Sequence, residues 1–244
     1  MNYYSRYYRS ISKGQKRQPR GFSVSQRINQ VLSIDACTTF RRERDNPAIG
    51  FIEGLQFVAG YFDVDQIAAV APHARLDLFT AQSAYGPRVS GQLAAVVDEL
   101  SGDKDTRRAV LIIANQHELL SDRPCTTCIQ FHTVKTRFGM MLDATVTMRS
   151  SDAVWGLPYD LIQFGLMHAV VGHCTHLALG KITLNLGNAH IYEMSAVPNN
   201  WTTWKFTVQS EADTVEEWKE LAVQYARLSA KELYVKFNFR SCGE

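Results

Sequence analysis

The chain has 244 residues, of which 45% are hydrophobic and 20% are charged, and its formal net charge is +2. This size and composition suit one well-packed globular domain. Because the net charge is close to zero, the chain is neither strongly basic nor strongly acidic. Its overall charge therefore gives no argument for a nucleic-acid or membrane-surface partner. The longest apolar runs, such as Ala109 to Ala114, are far shorter than the roughly 20 residues that span a bilayer. The sequence therefore predicts a soluble protein.

The cysteine content and the N-terminal segment indicate the compartment. Five cysteines make an odd count, and residues 1–21 lack the apolar core of a secretory leader. A reducing cytoplasm is expected. Residues 1–21 are rich in Arg, Lys, Tyr and Ser and include Pro19 and Gly21. They are predicted to form an irregular basic arm that is solvated or caps a substrate, and residues 22–244 to form one globular domain.

Hydrophobic periodicity and turn signals predict helices and strands in mixed order. The helix predicted first carries Glu53 and follows a start signal at Asp45-Asn46. Since helices and strands do not strictly alternate, the fold class is predicted to be α+β. The predicted elements in chain order are a helix over Pro47–Phe62, a helix over Gln92–Leu100, a buried strand over Ala109–Ala114, paired strands over Cys128–Thr136 and Gly139–Thr147, a core helix over Leu157–Val171, a strand over Leu177–Leu186 and a helix over Thr214–Lys231.

Cys125 and Cys128 form a Cys-x-x-Cys motif, which suits a redox dithiol, half of a zinc site, or a nucleophile with an incidental neighbour. Zinc needs a second pair of ligands, which His173 and His176 offer only weakly. A redox dithiol usually opens a helix, whereas Cys128 begins an alternating strand pattern. The residues favour Cys125 as a nucleophile and no metal site. Four arginines are available to hold its thiolate and an anionic substrate: Arg107, Arg108, Arg123 and Arg149.

Several short motifs between residues 49 and 192 follow one another at a specific spacing. They are Pro124-Cys125, Gln130-Phe131, Met148-Arg149-Ser150-Ser151-Asp152, Gly156-Leu157-Pro158-Tyr159-Asp160 and Gly187-Asn188-Ala189-His190-Ile191-Tyr192. As an ensemble they resemble the active-site framework of the thymidylate synthase family. Two further segments are similar to its paired-arginine motif and to the helix with its catalytic glutamate: Asp105-Thr106-Arg107-Arg108 and Glu53-Gly54-Leu55-Gln56-Phe57.

The resemblance implies a single α+β catalytic domain with a mixed sheet and packed helices, which dimerises through the sheet. It implies that Cys125 adds to C6 of a pyrimidine nucleoside monophosphate and that Glu53 orders water and relays protons at the base. The implied one-carbon donor is 5,10-methylenetetrahydrofolate. Asp152 is implied to bind the pterin of this folate, together with Gly156.

The resemblance also implies how the rest of the nucleotide is held. Its 5′-phosphate is implied to contact arginines, whose bidentate hydrogen bonds suit a fixed pose. The implied phosphate ligands are Arg149 and Ser150 of one subunit, Arg107 and Arg108 of the other subunit, and Arg20. The sugar 3′-hydroxyl is implied to contact His190 and Tyr192, whose i, i+2 spacing on a strand places both rings on one face. Two ordinary core aromatics remain the alternative for this pair.

A departure from the family pattern bears on the base. Most of the family carries Asn where Asp160 stands. Uracil presents a donor at N3 and an acceptor at O4, which an amide satisfies, whereas cytosine presents the reverse. A carboxyl at Asp160 can accept from N4 of cytosine and share a proton with N3. Because mispaired buried groups cost ~1–3 kcal/mol each, cytosine is the predicted base.

Thr126 is the second departure, since the family usually has His after the nucleophile. The Cys125-Thr126 pair and Asp160 both resemble the corresponding residues of the phage deoxycytidylate hydroxymethylases. In this branch of the family, water captures the methylene intermediate. The segment 76–79 also replaces a Trp-rich family stretch. The leading hypothesis is therefore a dCMP hydroxymethylase, as in phage DNA modification. Alternatives are a dCMP methyltransferase with hydride transfer from folate, a CMP hydroxymethylase, and a thymidylate synthase acting on dUMP.

Two hypotheses of other classes stay open at this point. One is a nucleic-acid binder that uses the basic arm and its tyrosines for stacking, although neither a nucleic-acid nor a membrane partner is expected. The other is a thiol oxidoreductase, which requires Cys128 as much as Cys125. The tyrosines concerned are Tyr3, Tyr4, Tyr7 and Tyr8.

Overall fold

The computed structural model describes residues 3–115, 123–137, 139–195 and 200–242. The helices in these ranges are α1 (Tyr3–Ser12), α2 (Ala48–Ala59), α3 (Val64–Val70), α4 (Gly86–Val89), α5 (Leu93–Gly102), α6 (Leu157–Cys174), α7 (Val215–Tyr225) and α8 (Ala230–Lys236). The strands are β1 (Gln15–Arg17), β2 (Val24–Asp35), β3 (Thr38–Arg41), β4 (Val110–Ile112), β5 (Thr126–Thr136), β6 (Gly139–Met148), β7 (Ser151–Asp152), β8 (Ala178–Tyr192), β9 (Thr202–Lys205) and β10 (Arg240–Ser241). Short 3₁₀ turns cover Pro19–Gly21, Leu76–Leu78 and Glu193–Ser195.

A mixed sheet forms the centre of the molecule, in the order β1-β2-β8-β6-β5-β4. Neighbouring strands are antiparallel, except that β6 and β7 both run parallel to β8. Helix α6 makes the crossover from β7 to β8, as a parallel connection requires. Strands β3, β9 and β10 form a second, antiparallel sheet. The predicted α+β class, with a mixed sheet and packed helices, is confirmed.

Helices α2 and α6 pack face to face in the core. Helix α6 is buried on nearly all sides, as its continuous apolar sequence predicts. Gly54 of α2 allows the close approach, because a Cβ there would lie 2.6 Å from Leu166 Cδ1 and 3.1 Å from Gln163 Cα. Glu53 is therefore held directly opposite α6. Within the described ranges, no helix is both long and apolar enough to cross a membrane.

Most predicted elements are confirmed with small changes of boundary, but the last predicted helix is wrong as one element. The helical pattern over Thr214–Lys231 divides into α7 and α8. Each of these begins with its own capping box, formed by Thr214 with Glu217 and by Ser229 with Glu232. A residue at such a cap has extended backbone and starts a new helix, so Ser229 interrupts the pattern.

Strand β8 extends six residues beyond its predicted end, and the face of the strand that is buried changes along its length. Its buried residues are even-numbered up to Leu186 and odd-numbered from Ala189 onward, so the alternation shifts by one residue near Gly187. On the partner strand, Asn29 lies in the same stretch with a left-handed φ of 52°. Because side chains alternate along a strand, this shift turns His190 and Tyr192 away from the sheet core.

The predicted irregular N-terminal arm is wrong for residues 3–12, which form helix α1. One face of this helix is buried, and it consists of Tyr4, Tyr7, Tyr8 and Ile11. Their i, i+3, i+4, i+7 spacing is the pattern of an amphipathic helix, which the basic composition of the segment obscured. The Tyr4 ring stacks on Phe40 at 4.2 Å between centroids, and its hydroxyl donates to the Ala153 carbonyl at 2.7 Å. The division of the chain into an arm over residues 1–21 and a domain over residues 22–244 stays a prediction.

Replacing Tyr4 with Ala is expected to lower the unfolding free energy by about 3–5 kcal/mol, because the fully buried ring leaves a cavity and the hydrogen bond to Ala153 is lost. Chemical denaturation measures this difference. Tyr3→Ala on the same helix is the matched control, since the Tyr3 side chain is 48% exposed and its loss should change stability by less than about 1 kcal/mol. Equal effects of the two substitutions would contradict the packing of α1.

Candidate active site

The candidate site lies at the end of the sheet where β5 begins and β6, β7 and β8 end. Thr126 pairs with Met148, so Cys125 and Arg149 are neighbours, and the Arg149 N–H donates to the Cys125 carbonyl at 2.9 Å. On the adjoining strands, Asp152 pairs with His190. The sheet register thereby brings together motifs that lie up to 65 residues apart in the sequence.

A cavity of about 180 Å³ opens at this edge. Its lining includes Cys125 from the segment before β5, Glu53 from α2, and Asp160 and Gln163 from α6. The three residues that the sequence proposes as catalytic therefore share one pocket. Gln163 Nε2 donates to Glu53 Oε2 at 3.2 Å, which orients the glutamate across the α2–α6 contact.

The two carboxyl groups in the cavity favour their protonated forms. Burial raises the pKa of Glu53 to about 8, and the nearby Asp160 adds to the effect. Burial also raises the pKa of Asp160 to about 7, with a further contribution from Asp152. Because desolvation and like charges both oppose ionisation, each group can hold or release a proton near neutral pH. Such groups suit general acid and base chemistry.

Competing charges surround the Cys125 thiol. Its side chain is accessible from the cavity, but protein atoms enclose it on its other sides, and this burial raises its pKa. The charge on Asp160 raises the pKa further, while Arg149 and Arg20 lower it. Arg20 is an exposed residue in the Pro19–Gly21 turn, and its positive charge is close enough to favour the thiolate. Thiolate formation is favoured when Asp160 is neutral.

Arg149 holds the segment that precedes the cysteine. Its Nε donates to the Pro124 carbonyl at 3.0 Å, and its Nη2 donates to the Arg123 carbonyl at 2.6 Å. The residue is nevertheless exposed, and Ser150 beside it is half-buried. Arg149 can therefore fix the turn at Cys125 and still offer donors to an anionic group of a ligand.

His190 and Tyr192 lie side by side, with ring centroids 5.0 Å apart and ring planes perpendicular. Phe22 packs edge-on against Tyr192 at 6.1 Å. Burial lowers the pKa of His190, although the charge of Asp152 opposes this change. The imidazole is therefore neutral at pH 7 and can both donate and accept a hydrogen bond.

Asp152 and Gly156 form the turn that leads into α6. Asp152 Oδ1 accepts the backbone N–H groups of Val154 at 2.8 Å and Trp155 at 3.4 Å. Gly156 caps the helix, and its carbonyl accepts the Asp160 N–H at 3.0 Å. Asp160 is thus oriented by the same turn that carries Asp152. Among the described residues, none donates to Asp152 Oδ2, so this oxygen can accept a donor from a ligand.

Arg107 and Arg108 are not brought to the cavity within one chain. Both are exposed, and neither is among the described residues that line the pocket. Arg108 instead pairs with Glu99 at 3.0 Å. The two arginines precede the edge strand β4, on the far side of β5 from β6 and β8. Their contribution to a site across a dimer interface stays a prediction.

Cys128 lies inside β5, where it pairs with Thr147. It does not open a helix, as a redox dithiol usually does. In the ranges that the structure describes, no three His, Cys, Asp or Glu side chains are grouped as metal ligands. The described residues therefore offer no second half for a zinc site at this motif.

The sequence reasoning did not identify Tyr85, which lines the cavity with Cys125 and Asp160. Its oxygen accepts the Thr126 hydroxyl at 2.9 Å. The feature of the sequence that could have pointed to Tyr85 is the neighbouring Gly86. A Cβ at residue 86 would collide with the backbone oxygens of Gln56 and Tyr61. That crowding exists only in the folded chain. Gln163 was also missed, since nothing local distinguishes it from other polar residues in a core helix.

Comparisons with known proteins agree with this geometry. The protein-family model for thymidylate synthase matches residues 73–232, which is more than half of the chain. The chain belongs to the thymidylate synthase family. The matched stretch contains Cys125, Asp160 and His190, while Glu53 and Arg20 lie outside it, so their assignment depends on the structure and on the motif resemblance. Thymidylate synthases use 5,10-methylenetetrahydrofolate as the one-carbon donor.

Two relatives show how far the similarity extends. Thymidylate synthase of Homo sapiens is 29% identical over 113 residues, which are 46% of this chain and 35% of the human protein. The match thus spans about a third of that relative. The crystal structure of thymidylate synthase from T4 phage superposes with a TM-score of 0.70 at 18% identity, covering 100% of this chain and 96% of that chain. At this identity the superposition establishes the thymidylate synthase fold.

Glu53→Gln is expected to stabilise the protein in alkaline solution. Because the folded protein holds the Glu53 proton more tightly than the unfolded chain does, its unfolding free energy falls as the pH rises from the usual carboxylate range to about 8. Gln mimics the neutral acid, so the variant should be more stable by on the order of 3 kcal/mol at about pH 9 and nearly unchanged at about pH 5. Urea unfolding at both pH values measures this.

The exposed Glu211 provides the control for this prediction. Glu211→Gln should show no such difference between the two pH values, because an exposed carboxylate keeps its hydration in both states. A Glu53→Gln variant that is destabilised equally at both pH values would contradict the assignment of a raised Glu53 pKa.

Proposed function

We propose that this protein transfers a one-carbon unit from 5,10-methylenetetrahydrofolate to C5 of a cytidine monophosphate, with dCMP as the favoured substrate. Water capture then gives 5-hydroxymethyl-dCMP, which is the reaction of the deoxycytidylate hydroxymethylase branch. The observation that carries this proposal is the shared pocket of a thiol and a carboxyl, Cys125 and Asp160. The thiol supplies the nucleophile of the family, and the carboxyl stands where most members carry an amide.

The state of Asp160 supports cytosine as the base. A neutral carboxyl group offers one donor and one acceptor side by side, and a pKa of about 7 keeps Asp160 largely neutral below that pH. Cytosine can accept the proton at N3 and donate from N4. Uracil can also pair with the neutral acid, by donating from N3 and accepting at O4. However, O4 is a much weaker base than N3 of cytosine, so only cytosine can take the proton from Asp160. The shared proton therefore favours cytosine.

The residues of the pocket can carry out the covalent steps. The Cys125 thiolate adds to C6, the electron pair of the C5–C6 double bond moves to C5, and the proton of Asp160 on N3 draws electrons from the ring. When bound, 5,10-methylenetetrahydrofolate supplies to C5 a carbon at the oxidation level of formaldehyde and leaves as tetrahydrofolate. Glu53, acting through water, accepts the proton that C5 loses, and the electrons of the C5–H bond form an exocyclic double bond between C5 and the transferred carbon.

Release of the product completes the electron balance. A water oxygen bonds to the methylene carbon at C5 and gives up one proton to the pocket. The electrons of the exocyclic double bond return to the ring as the C5–C6 double bond, and the C6–S bond breaks to restore the Cys125 thiolate. Asp160 takes back the N3 proton. The ring thus gains one hydroxymethyl group and no net oxidation of the protein occurs.

The turn before α6 fits the folate. Asp152 Oδ1 accepts two backbone N–H groups of the turn, so Oδ2 is the oxygen proposed to accept a donor from the pterin ring, and Gly156 places no side chain between Asp152 and Asp160. Trp155 is 48% exposed and can cover an aromatic ring at this edge. Asp152 and Gly156 are therefore the residues proposed to hold the folate.

Thymidylate synthesis from dUMP is the second candidate, because both relatives named above are thymidylate synthases. The proposal for cytosine depends on Asp160, and the proposal for water capture depends on Thr126 in place of the usual His. Methyl transfer to dCMP and hydroxymethylation of CMP use the same pocket residues. Product mass and substrate choice separate all four reactions.

A homodimer through the sheet is also proposed. Five large apolar side chains on the described strands are exposed: Ile28 at 61% and Val31 at 60% on β2, Ile112 at 51% on β4, Val134 at 37% on β5 and Met140 at 36% on β6. A partner that covers these strands would remove this surface from water. The same arrangement would give Arg107 and Arg108 a phosphate to contact, which they lack within one chain.

The decisive experiment offers the protein 5,10-methylenetetrahydrofolate with dCMP, CMP or dUMP and identifies the nucleotide product by mass. The expected product is 5-hydroxymethyl-dCMP, and Asp160→Asn should shift the preference from dCMP toward dUMP by about ten-fold or more. Cys125→Ser should abolish turnover, whereas Cys128→Ser should have a mild effect. Turnover of dUMP alone by the wild type would refute the role given to Asp160.

A subunit-mixing experiment tests the shared site. Cys125→Ser dimers and Arg107→Ala/Arg108→Ala dimers should each have little activity. Since a mixed dimer rebuilds one intact site, random exchange should restore about a quarter of the wild-type activity. Co-purification of differently tagged subunits controls for exchange. Proven exchange without recovered activity would show that the arginines do not act across the interface.

A further inference from the structure

Thr126 holds the phenol of Tyr85. It follows Cys125 directly, is fully buried, and donates its hydroxyl hydrogen to the Tyr85 oxygen at 2.9 Å. The contact joins the first residue of β5 to the residue before α4, which are 41 positions apart. The reaction proposed above depends on the identity of residue 126 but gives no role to Tyr85 or to the hydrogen bond between the two side chains, so this contact requires its own account.

Packing fixes the position of the Tyr85 ring. The ring stacks nearly parallel to Phe164 at 6.4 Å and meets Phe57 edge-on at 5.6 Å. Gly86 holds the backbone against the oxygens of Gln56 and Tyr61. With the ring fixed by these contacts, the remaining freedom of Tyr85 is the direction of its O–H bond.

Tyr85 is a neutral hydrogen-bond donor under all working conditions. Burial raises its pKa well above 10, and the charges of Asp160, Cys125 and Glu53 contribute to the rise. These three groups line the same cavity as Tyr85. Because the Thr126 hydroxyl occupies one lone pair of the Tyr85 oxygen, the Tyr85 hydrogen is available for an acceptor on the cavity side.

We propose that Thr126 is a positioning residue, whose hydroxyl orients the Tyr85 O–H into the cavity so that it donates to the reacting end of the pyrimidine or to the water beside it. This inference rests on the proposed function and deepens it. A preorganised donor of this kind costs no reorientation when the ring changes charge during the reaction. Thr126 itself does not touch the substrate.

Two substitutions separate this role from simple packing. Thr126→Val keeps the shape and removes the hydroxyl, while Thr126→Ser keeps the hydroxyl and removes a methyl group. Misorientation of a group at the reacting centre can cost up to 10²-fold in rate, so Thr126→Val should lower kcat by about 10- to 100-fold and leave KM within about two-fold. Thr126→Ser should retain most of kcat. Thr127→Val, at an exposed neighbouring position, is the control and should match the wild type.

A spectroscopic measurement reports on the contact without turnover. Tyrosine labelled with ¹³C at Cζ gives one resonance per phenol, and Tyr85→Phe identifies the resonance of Tyr85. Thr126→Val should shift this resonance, because the hydrogen bond to the oxygen is lost, and Thr126→Ser and Thr127→Val should leave it in place. The other tyrosine resonances should not move in any of these variants, which would show that the fold is intact.

The outcomes distinguish this inference from the proposed function. Wild-type kcat in Thr126→Val, or equal losses in Thr126→Val and Thr126→Ser, would overturn the positioning role. If the wild type converts no pyrimidine nucleotide, the proposed function fails, and an unmoved Tyr85 resonance in Thr126→Val would then overturn the contact as well. A moved resonance together with a selective loss of kcat in Thr126→Val supports the inference.

Discussion

The packing of α2 against α6 is the contact on which the chemistry of the site depends. Gly54 lets the two helices approach closely, so Glu53 and Asp160 face one cavity and are partly desolvated by the surrounding protein. An unpaired carboxylate in such surroundings is costly, and both groups therefore retain protons to higher pH than usual. The same helix contact that stabilises the core thus creates a pocket with two exchangeable protons beside a thiol.

The reactivity of the thiol depends on the charge state of these carboxyl groups and on the nearby arginines. Asp160 opposes ionisation of Cys125 when it is charged, and Arg149 and Arg20 favour it. Arg149 also ties down the carbonyls on the N-terminal side of the cysteine, so the group that favours the thiolate also fixes its backbone. In the proposed reaction, neutral Asp160 serves two purposes, since it removes a repulsive charge from the thiol and presents a donor to the base.

Much of the fold was predictable from the sequence in segments where one hydrophobic periodicity dominates. The continuous apolar run of α6 and the alternating strands β5 and β6 were confirmed, because helix and strand periodicity are strong there. The turn predicted near residues 137–139 includes residue 138, which lies outside the described residues. The N-terminal helix was missed because its buried face is built of tyrosines among arginines, so composition suggested a solvated arm. The division of α7 from α8 was missed because Ser229 interrupts the pattern only through its cap.

For the site, the sequence by itself determined the chemical inventory: a cysteine in a turn, the aspartate at position 160, the threonine at position 126, and motifs whose order resembles thymidylate synthase. Tertiary structure alone decided which of these groups share a cavity, that Arg107 and Arg108 lie outside it, and that Tyr85 and Gln163 belong to it. The physical reason is that burial and charge proximity are properties of the assembled chain. From the sequence alone, a carboxyl group is expected to have an ordinary pKa. Desolvation between two helices and the sheet raises that pKa, so that the group can hold a proton near neutral pH.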